Sequence, residues 1–462
     1  MTMSALGNQP LSPLGGRYHP ETAELQEFFS EAALHRLRVK VEIEWLIELC
    51  HSKVGNTKPL SQEQIRKLRD SIQNFSSADV EKIKLLEETT KHDVKAVEYF
   101  VRQTLVSHEL EHLEELVHFG CTSEDINNVA YALATKDALQ KSWLPAFDSV
   151  LDYLTQLARE WKKLPMLART HGQPATPTTL GKEFAVFSSR LNWIRQRITE
   201  VPHRAKFSGA TGTYSAHVAA EPGHDWRVIS REFIGQLGLE QNPLTTQIEP
   251  HDAAAAILYS ISHANRIFHN LATDIWLYIS IGYLKQAPEA GASGSSTMPH
   301  KVNPIRFENA EANLEISNFL LEGIASTLTT SRLQRDLTDS STQRNIGVAF
   351  GHSLLAIKNI GKGLLEVSPD KNALKADLEG NWNVLAEAIQ TVMRSEIVRG
   401  NSSAKDPYAI LKSLTRGEDL DSHKIELIID KLELSSSAKN RLKKLSPEDY
   451  VGLSSELVDD LQ

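Results

Sequence analysis

The sequence predicts an all-α protein, and three observations carry the prediction. Proline and glycine, which helices tolerate poorly, leave long gaps: neither occurs in residues 60–119, 121–144, 251–281 or 305–322. Each gap is several times the length of a strand. Inside the third gap, Ile257, Ile261, Ala264, Phe268, Leu271 and Ile275 step by four and three, which is the a/d seam of a helix packed on other helices. Strand-like alternation is scarce, and the hairpin dipeptides Asn-Gly and Asp-Gly are absent.

Three helical domains follow from the punctuation: an N-terminal domain over 1–115, a central long-helix bundle over 116–366 and a C-terminal helical domain over 367–462. The last boundary rests on a composition shift near Val367–Asp370, after which Lys, Glu and Leu dominate. Leu258, Ile267, Trp276 and Ile279 widen the seam of the third gap beyond one partner. Either a monomeric bundle core or a subunit interface explains that width.

Composition narrows the function. The chain has 462 residues, with 50 Lys+Arg against 59 Asp+Glu and a formal net charge of -9, so it lacks the broad basic surface that non-specific nucleic-acid binding requires. No stretch reaches the ~18 consecutive apolar residues of a membrane span, and Met1–Pro20 carries no apolar core of a signal peptide. Only Cys50 and Cys121 occur, too few for a disulfide framework. A cytoplasmic protein without membrane or nucleic-acid partners is expected.

His108-Glu109-Leu110-Glu111-His112 fits the zinc-protease pattern H-E-x-x-H. Its continuation, Leu113-Glu114-Glu115-Leu116, reads instead as the charged face of an ordinary helix. Neither a P-loop nor a G-x-G-x-x-G is present. The loop Gly291-Ala292-Ser293-Gly294-Ser295-Ser296-Thr297-Met298-Pro299-His300-Lys301-Val302-Asn303-Pro304 is more informative. Its Asn303-Pro304 end is an N-cap and N1 pair for the long helix that follows, so the loop lies over a positive helix end with Lys301 adding a full charge. A second loop, Ala168–Thr176, holds His171 among small polar residues and helix breakers, where an imidazole is exposed. Further clusters are Lys91-His92-Asp93, Thr122-Ser123-Glu124-Asp125 and Arg332–Arg344, the last containing Arg335, Ser340 and Arg344.

Gly294–Pro304 resembles the signature G-S-S-x-M-P-x-K-x-N-P of the fumarase/aspartase superfamily. Together with Lys91–Glu98, Thr122–Ile126 and Arg169–Ala175, it is similar to the bacterial-type adenylosuccinate lyase branch of that superfamily. The similarity runs from Gly16-Arg17-Tyr18 to Gly347, and Ala168 and Arg306 are minor departures. The resemblance implies a homotetramer whose core is the central long-helix bundle, with each site built from three subunits. It implies β-elimination of fumarate from adenylosuccinate, giving AMP, and from SAICAR, giving AICAR, with no metal or organic cofactor. Another fumarate-releasing lyase of the superfamily is the alternative.

By position in the motifs, the resemblance makes Ser295 the base, His171 the acid, Lys301 the stabiliser of the developing charge and Glu308 the partner of His171. Substrate would be bound by Arg17, Tyr18, Lys91, His92, Asp93, Thr122, Ser123, Gln247, Ser296, Asn303, Asn309, Arg335, Ser340 and Arg344. A phosphate and two carboxylates demand such a basic pocket even in an acidic protein.

Overall fold

The computed structural model describes residues 10–287, 298, 301–415 and 420–461. It is mostly helical, with paired strands of only two or three residues among the described segments. The chain divides into two compact units. One comprises Met1–Asp148, Ile194–Phe268 and Ala310–Lys358, and the other Ser149–Trp193, His269–Asn309 and Asn359–Gln462.

In the first unit the long gap at 60–119 holds several short helices rather than one long one, because polar caps restart the chain. Ser61 and Gln64 form a capping box for Gln62–Gln73, and Ser76 with Asp79 does the same for Ser77–Thr90. The helix Asp93–Ser107 ends at His108, Glu109 turns left-handed at φ 59°, and Glu111–Leu116 is a 3-10 turn. His108 and His112 therefore do not share one face of a helix, which removes the zinc-protease geometry. The segment is a break and not the charged helix face that its sequence suggests. His108 Nε2 lies 2.9 Å from Ser71 Oγ instead.

The core of this unit centres on Trp45 of the helix Glu31–His51, whose N-cap Ser30 accepts a bond from the Ala33 N–H. The Trp45 ring lies 4.5 Å from Phe207 and 5.1 Å from Phe233, and its Nε1–H donates to the Phe119 carbonyl at 3.0 Å. That bond fixes the backbone just ahead of Thr122. Beside it, His118 donates its backbone N–H to Glu42 at 3.0 Å and sets Nδ1 2.6 Å from the same carboxylate. Burial works to lower the His118 pKa, but the Glu42 hydrogen bond and charge outweigh it and hold the imidazole above its ordinary value. A raised folded-state pKa means the pair stabilises most below the unfolded value and progressively less as pH rises through the folded one. The difference in melting temperature between the native protein and His118→Gln should therefore shrink from about pH 6 to about pH 9, as thermal scans at both values would register.

The a/d seam is where the sequence places it, on the helix Asp252–Ser280, and all six seam residues are buried within the chain itself. Polar side chains thread the same region. Trp143 Nε1–H donates to Ser353 Oγ at 2.8 Å, Ser353 donates to Asn265 Oδ1 at 2.7 Å, and Asn265 Nδ2 donates to Ser317 Oγ and Asn318 Oδ1 at 3.1 and 2.9 Å. Ser317 in turn donates to the Ala349 carbonyl at 2.8 Å. Four long helical stretches are thus joined by buried, hydrogen-bonded groups.

In the second unit, the C-terminal helices close round Leu385, Ile389, Met393, Leu411, Ile425, Ile429 and Leu442. Their starts are capped by Asp421 and Ser435, whose side chains accept from the Lys424 and Ala438 N–H groups.

Candidate active site

Several of the expected residues meet where helices begin in the first unit. Lys91 closes Ser77–Thr90 with a left-handed backbone, and His92 caps the next helix, its Nδ1 accepting from the Lys95 N–H at 3.3 Å. That bond directs Nε2 away from the helix, 3.5 Å from Ser123 Oγ. Ser123 opens the helix Ser123–Ala138 behind a capping box in which the Thr122 N–H donates to Asp125 at 2.8 Å. Asp125 is itself buried, paired with Lys206 at 2.9 Å with both side chains fully inaccessible, and it accepts from the Ser208 and Gly209 N–H groups.

Asp93 faces Arg38 at 2.8 Å and Arg344 at 3.4 Å. Burial would raise its pKa, but the Arg38 charge overcomes this and keeps the carboxyl below the ordinary carboxylate range. Arg38 is buried and also donates to Asn127 Oδ1 at 2.9 Å, while Arg344 holds Glu31 at 2.5 Å. The structure thus brings His92, Asp93, Ser123 and Arg344 into one charged cluster. Arg344 also borders a cavity of about 280 Å³ lined by Ser30 and by His19, which follows Arg17 and Tyr18 in the chain. Arg17 is exposed, and the Tyr18 N–H donates to the Pro13 carbonyl at 2.9 Å.

Arg335 stands apart from that cluster in its pairing, 2.8 Å from Glu124 and 3.7 Å from Asp339, and half-buried Ser340 follows on the short helix Thr338–Gln343. Glu124 is pushed up to about 7, first by burial and then by the charge of Asp339, against the pull of Arg335. Gln247 donates its amide to the Ala210 carbonyl at 2.9 Å.

In the second unit, His171 occupies the tip of a hairpin. Arg169 pairs with Pro174 and Thr170 with Gln173, and the two residues between, His171 and Gly172, both have left-handed backbones at φ 53° and 75°. That is the two-residue turn usually made by Asn-Gly, with histidine in the asparagine place. Arg169 anchors the hairpin, donating to the Tyr283 hydroxyl at 2.5 Å and to Asp377 at 2.6 Å. His171 itself is exposed, and among the described residues it has no hydrogen-bond partner.

Lys301 is exposed, its N–H donating to the Met298 carbonyl at 3.0 Å. The helix Ile305–Leu328 begins one residue later than the Asn303-Pro304 cap pattern indicates, with the Pro304 carbonyl accepting from the Phe307 and Glu308 N–H groups. Glu308 is exposed and accepts from Trp276 Nε1–H at 3.1 Å, so within one chain its bonding partner is Trp276 and not His171. Asn309 accepts from the Asn359 amide at 3.0 Å. Arg306, a departure from the superfamily pattern, pairs with Glu366 at 2.6 Å. Ser295 and Ser296 lie outside the described residues.

Sequence reasoning missed Arg38, which reads as one of the alternating basic residues Arg36, Arg38 and Lys40 of a charged helix, and Arg169, whose place inside Arg-Thr-His-Gly is the only hint of an anchor. It also missed the buried group of Glu124, His251 and Asp339.

Residues 16–315 match the family described as Lyase, and residues 331–451 match the one described as Adenylosuccinate lyase C-terminal. The adenylosuccinate lyase of Legionella pneumophila (strain Corby) is 46% identical over 460 residues, covering 99% of both chains. That of Escherichia coli (strain K12) is 43% identical over 454 residues and 98% of both, and that of Dictyostelium discoideum 45% over 457 residues and 96% of both. The fold is shared with a fumarate lyase from Mesorhizobium sp. BNC1, at TM-score 0.74, 18% identity and coverage of 95% of this chain and 97% of that one. A 3-carboxy-cis,cis-muconate lactonizing enzyme from Pseudomonas putida matches at TM-score 0.70 and 21% identity, covering 95% of each chain. With identity spread over nearly the whole chain and with both halves matched, the chain belongs to the adenylosuccinate lyase family of the fumarase/aspartase superfamily.

Proposed function

We infer that this chain cleaves adenylosuccinate to AMP and fumarate, and SAICAR to AICAR and fumarate, by β-elimination. The observation that carries the reading is end-to-end identity to adenylosuccinate lyases, 43–46% in the relatives above. In the elimination, Ser295 removes a proton from the succinyl carbon β to nitrogen, and the electron pair spreads into the adjacent carboxylate. Expulsion of the nitrogen follows as His171 protonates it, and fumarate is left. Lys301 supplies positive charge where the carbanion grows. These groups suffice for the chemistry without a metal or an organic cofactor.

The cluster of His92, Ser123 and Arg344 is the part of the proposed pocket suited to the anionic groups of the substrate, and Arg335 with Ser340 offers a second guanidinium and hydroxyl. His171 at an exposed hairpin tip and Glu308 held by Trp276 suit a site completed by other subunits. Exposed apolar side chains support a homotetramer: Val186 and Trp193 on Leu180–Glu200, Tyr259 and Leu277 on Asp252–Ser280, and Ile316 and Phe319 on Ile305–Leu328. The buried a/d seam does not contribute to that surface. A cytoplasmic location belongs to the same proposal; among the described residues no helix is long and apolar enough to cross a membrane.

A spectrophotometric assay of adenylosuccinate cleavage tests the reading directly: purified protein should release AMP and fumarate in equal amounts, and no turnover of either substrate would refute it. Light scattering should give four times the 51.5 kDa chain mass, and an active monomer would refute the shared site.

A further inference from the structure

Glu124, His251 and Asp339 lie together in the interior of the first unit, each at least nine-tenths buried. One ligand atom from each falls within 4.8 Å of the other two, and His251 Nε2 is 3.9 Å from Asp339 Oδ2. Arg335 takes one Glu124 oxygen and lies 3.7 Å from Asp339 Oδ2, but among the described residues Glu124 Oε1 and both Asp339 oxygens are buried without a hydrogen-bond partner. Such oxygens are costly to bury unless something positive completes them.

Charge points the same way. Glu249, also buried, accepts the His251 backbone N–H at 2.7 Å and lies 3.7 Å from Nδ1. Three acidic side chains thus gather round one guanidinium and one imidazole. We propose that Glu124, His251 and Asp339 form a buried site for one divalent transition-metal cation such as zinc, with Glu249 orienting His251 from behind.

A nitrogen and two carboxylate oxygens suit zinc, whose ligands lie about 2.0–2.2 Å from the ion and hence about 3–4 Å from one another. The three ligand atoms, within 4.8 Å of one another, would draw together around an ion to reach that spacing. Glu249 lies on the Nδ1 side of the ring at 3.7 Å, from where a small approach would give the carboxylate–histidine arrangement that orients a metal-binding imidazole. A cavity of about 40 Å³ bordered by His251, Glu249 and Gln343 has room for a water beside the histidine. The ion would be structural, since the elimination needs none, and would hold Glu124 and through it Arg335. The inference goes beyond the proposed activity and does not depend on it.

The test uses untagged, full-length protein stripped with a chelator and titrated with zinc against a chromophoric competitor. One zinc per chain should bind, and His251→Gln and Asp339→Asn should each weaken it at least tenfold. Glu124→Gln, which keeps side-chain size, guards against misfolding of the other variants and should weaken zinc similarly while circular dichroism stays native. A zinc-soaked crystal should show anomalous density between the three side chains. Zinc bound equally by the native protein and all three variants, no binding at all, or anomalous density only elsewhere would overturn the proposal.

Discussion

Mixing subunits that carry Ser295→Ala with subunits that carry His171→Ala is expected to restore turnover that neither variant possesses alone. Each substitution removes a proton-transfer group and should lower kcat by about 10²- to 10⁴-fold. His171 sits at an exposed hairpin tip, and among the described residues it has no partner, while Glu308 is engaged by Trp276. If base and acid reach one site from different subunits, random reassembly of an equal mixture leaves about one site in four with both groups native. Recovery near that fraction, read in the cleavage assay after exchange is demonstrated by mass spectrometry, would establish the shared site. An inactive mixture of fully exchanged tetramers would place both residues on one chain.

The largest stability effect is expected at Lys206. Its ammonium group is inaccessible to solvent and lies 2.9 Å from both Asp125 and the Gly209 carbonyl. Lys206→Met leaves the Asp125 carboxylate buried without its cation and should cost about 3–5 kcal/mol. Because Asp125 also accepts the Thr122 N–H, the loss should reach the start of Ser123–Ala138 and with it the hydroxyl facing His92. Adding Asp125→Asn to Lys206→Met removes the stranded charge and should return part of the loss. Denaturant titration of both variants checks this. Equal stability of the native protein and Lys206→Met would mean the pair contributes nothing net.

Legibility in the sequence followed the range of the signal. The helix Asp252–Ser280 was readable because its seam repeats within one segment, and the Ile305–Leu328 start was readable to one residue because Asn303-Pro304 is a local cap pattern. His171 was placed in a working loop by its neighbours, yet the hairpin was not visible, since His-Gly lacks the usual Asn at the first turn position. The H-E-x-x-H run looked helical because nothing in it marks the left-handed Glu109. Arg169 with Tyr283 and Asp377, and Glu124 with His251 and Asp339, join residues far apart in the chain, and no local pattern encodes such meetings.

The chain of bonds from Trp143 through Ser353 and Asn265 to Ser317 has a consequence for how such long helices come to rest. Apolar surfaces this uniform would let one helix slide past another by a turn, about 5.4 Å, with little change in burial. A slide would strand Asn265 and Ser353 in hydrocarbon, since their partners Ser317, Asn318 and Trp143 would move out of reach. The polar thread therefore works as a ratchet tooth that admits one alignment. The connection from Thr329 to Asn345 hangs between two of these helices, so the placement of Arg335, Ser340 and Arg344 is decided by amides and hydroxyls buried in the bundle.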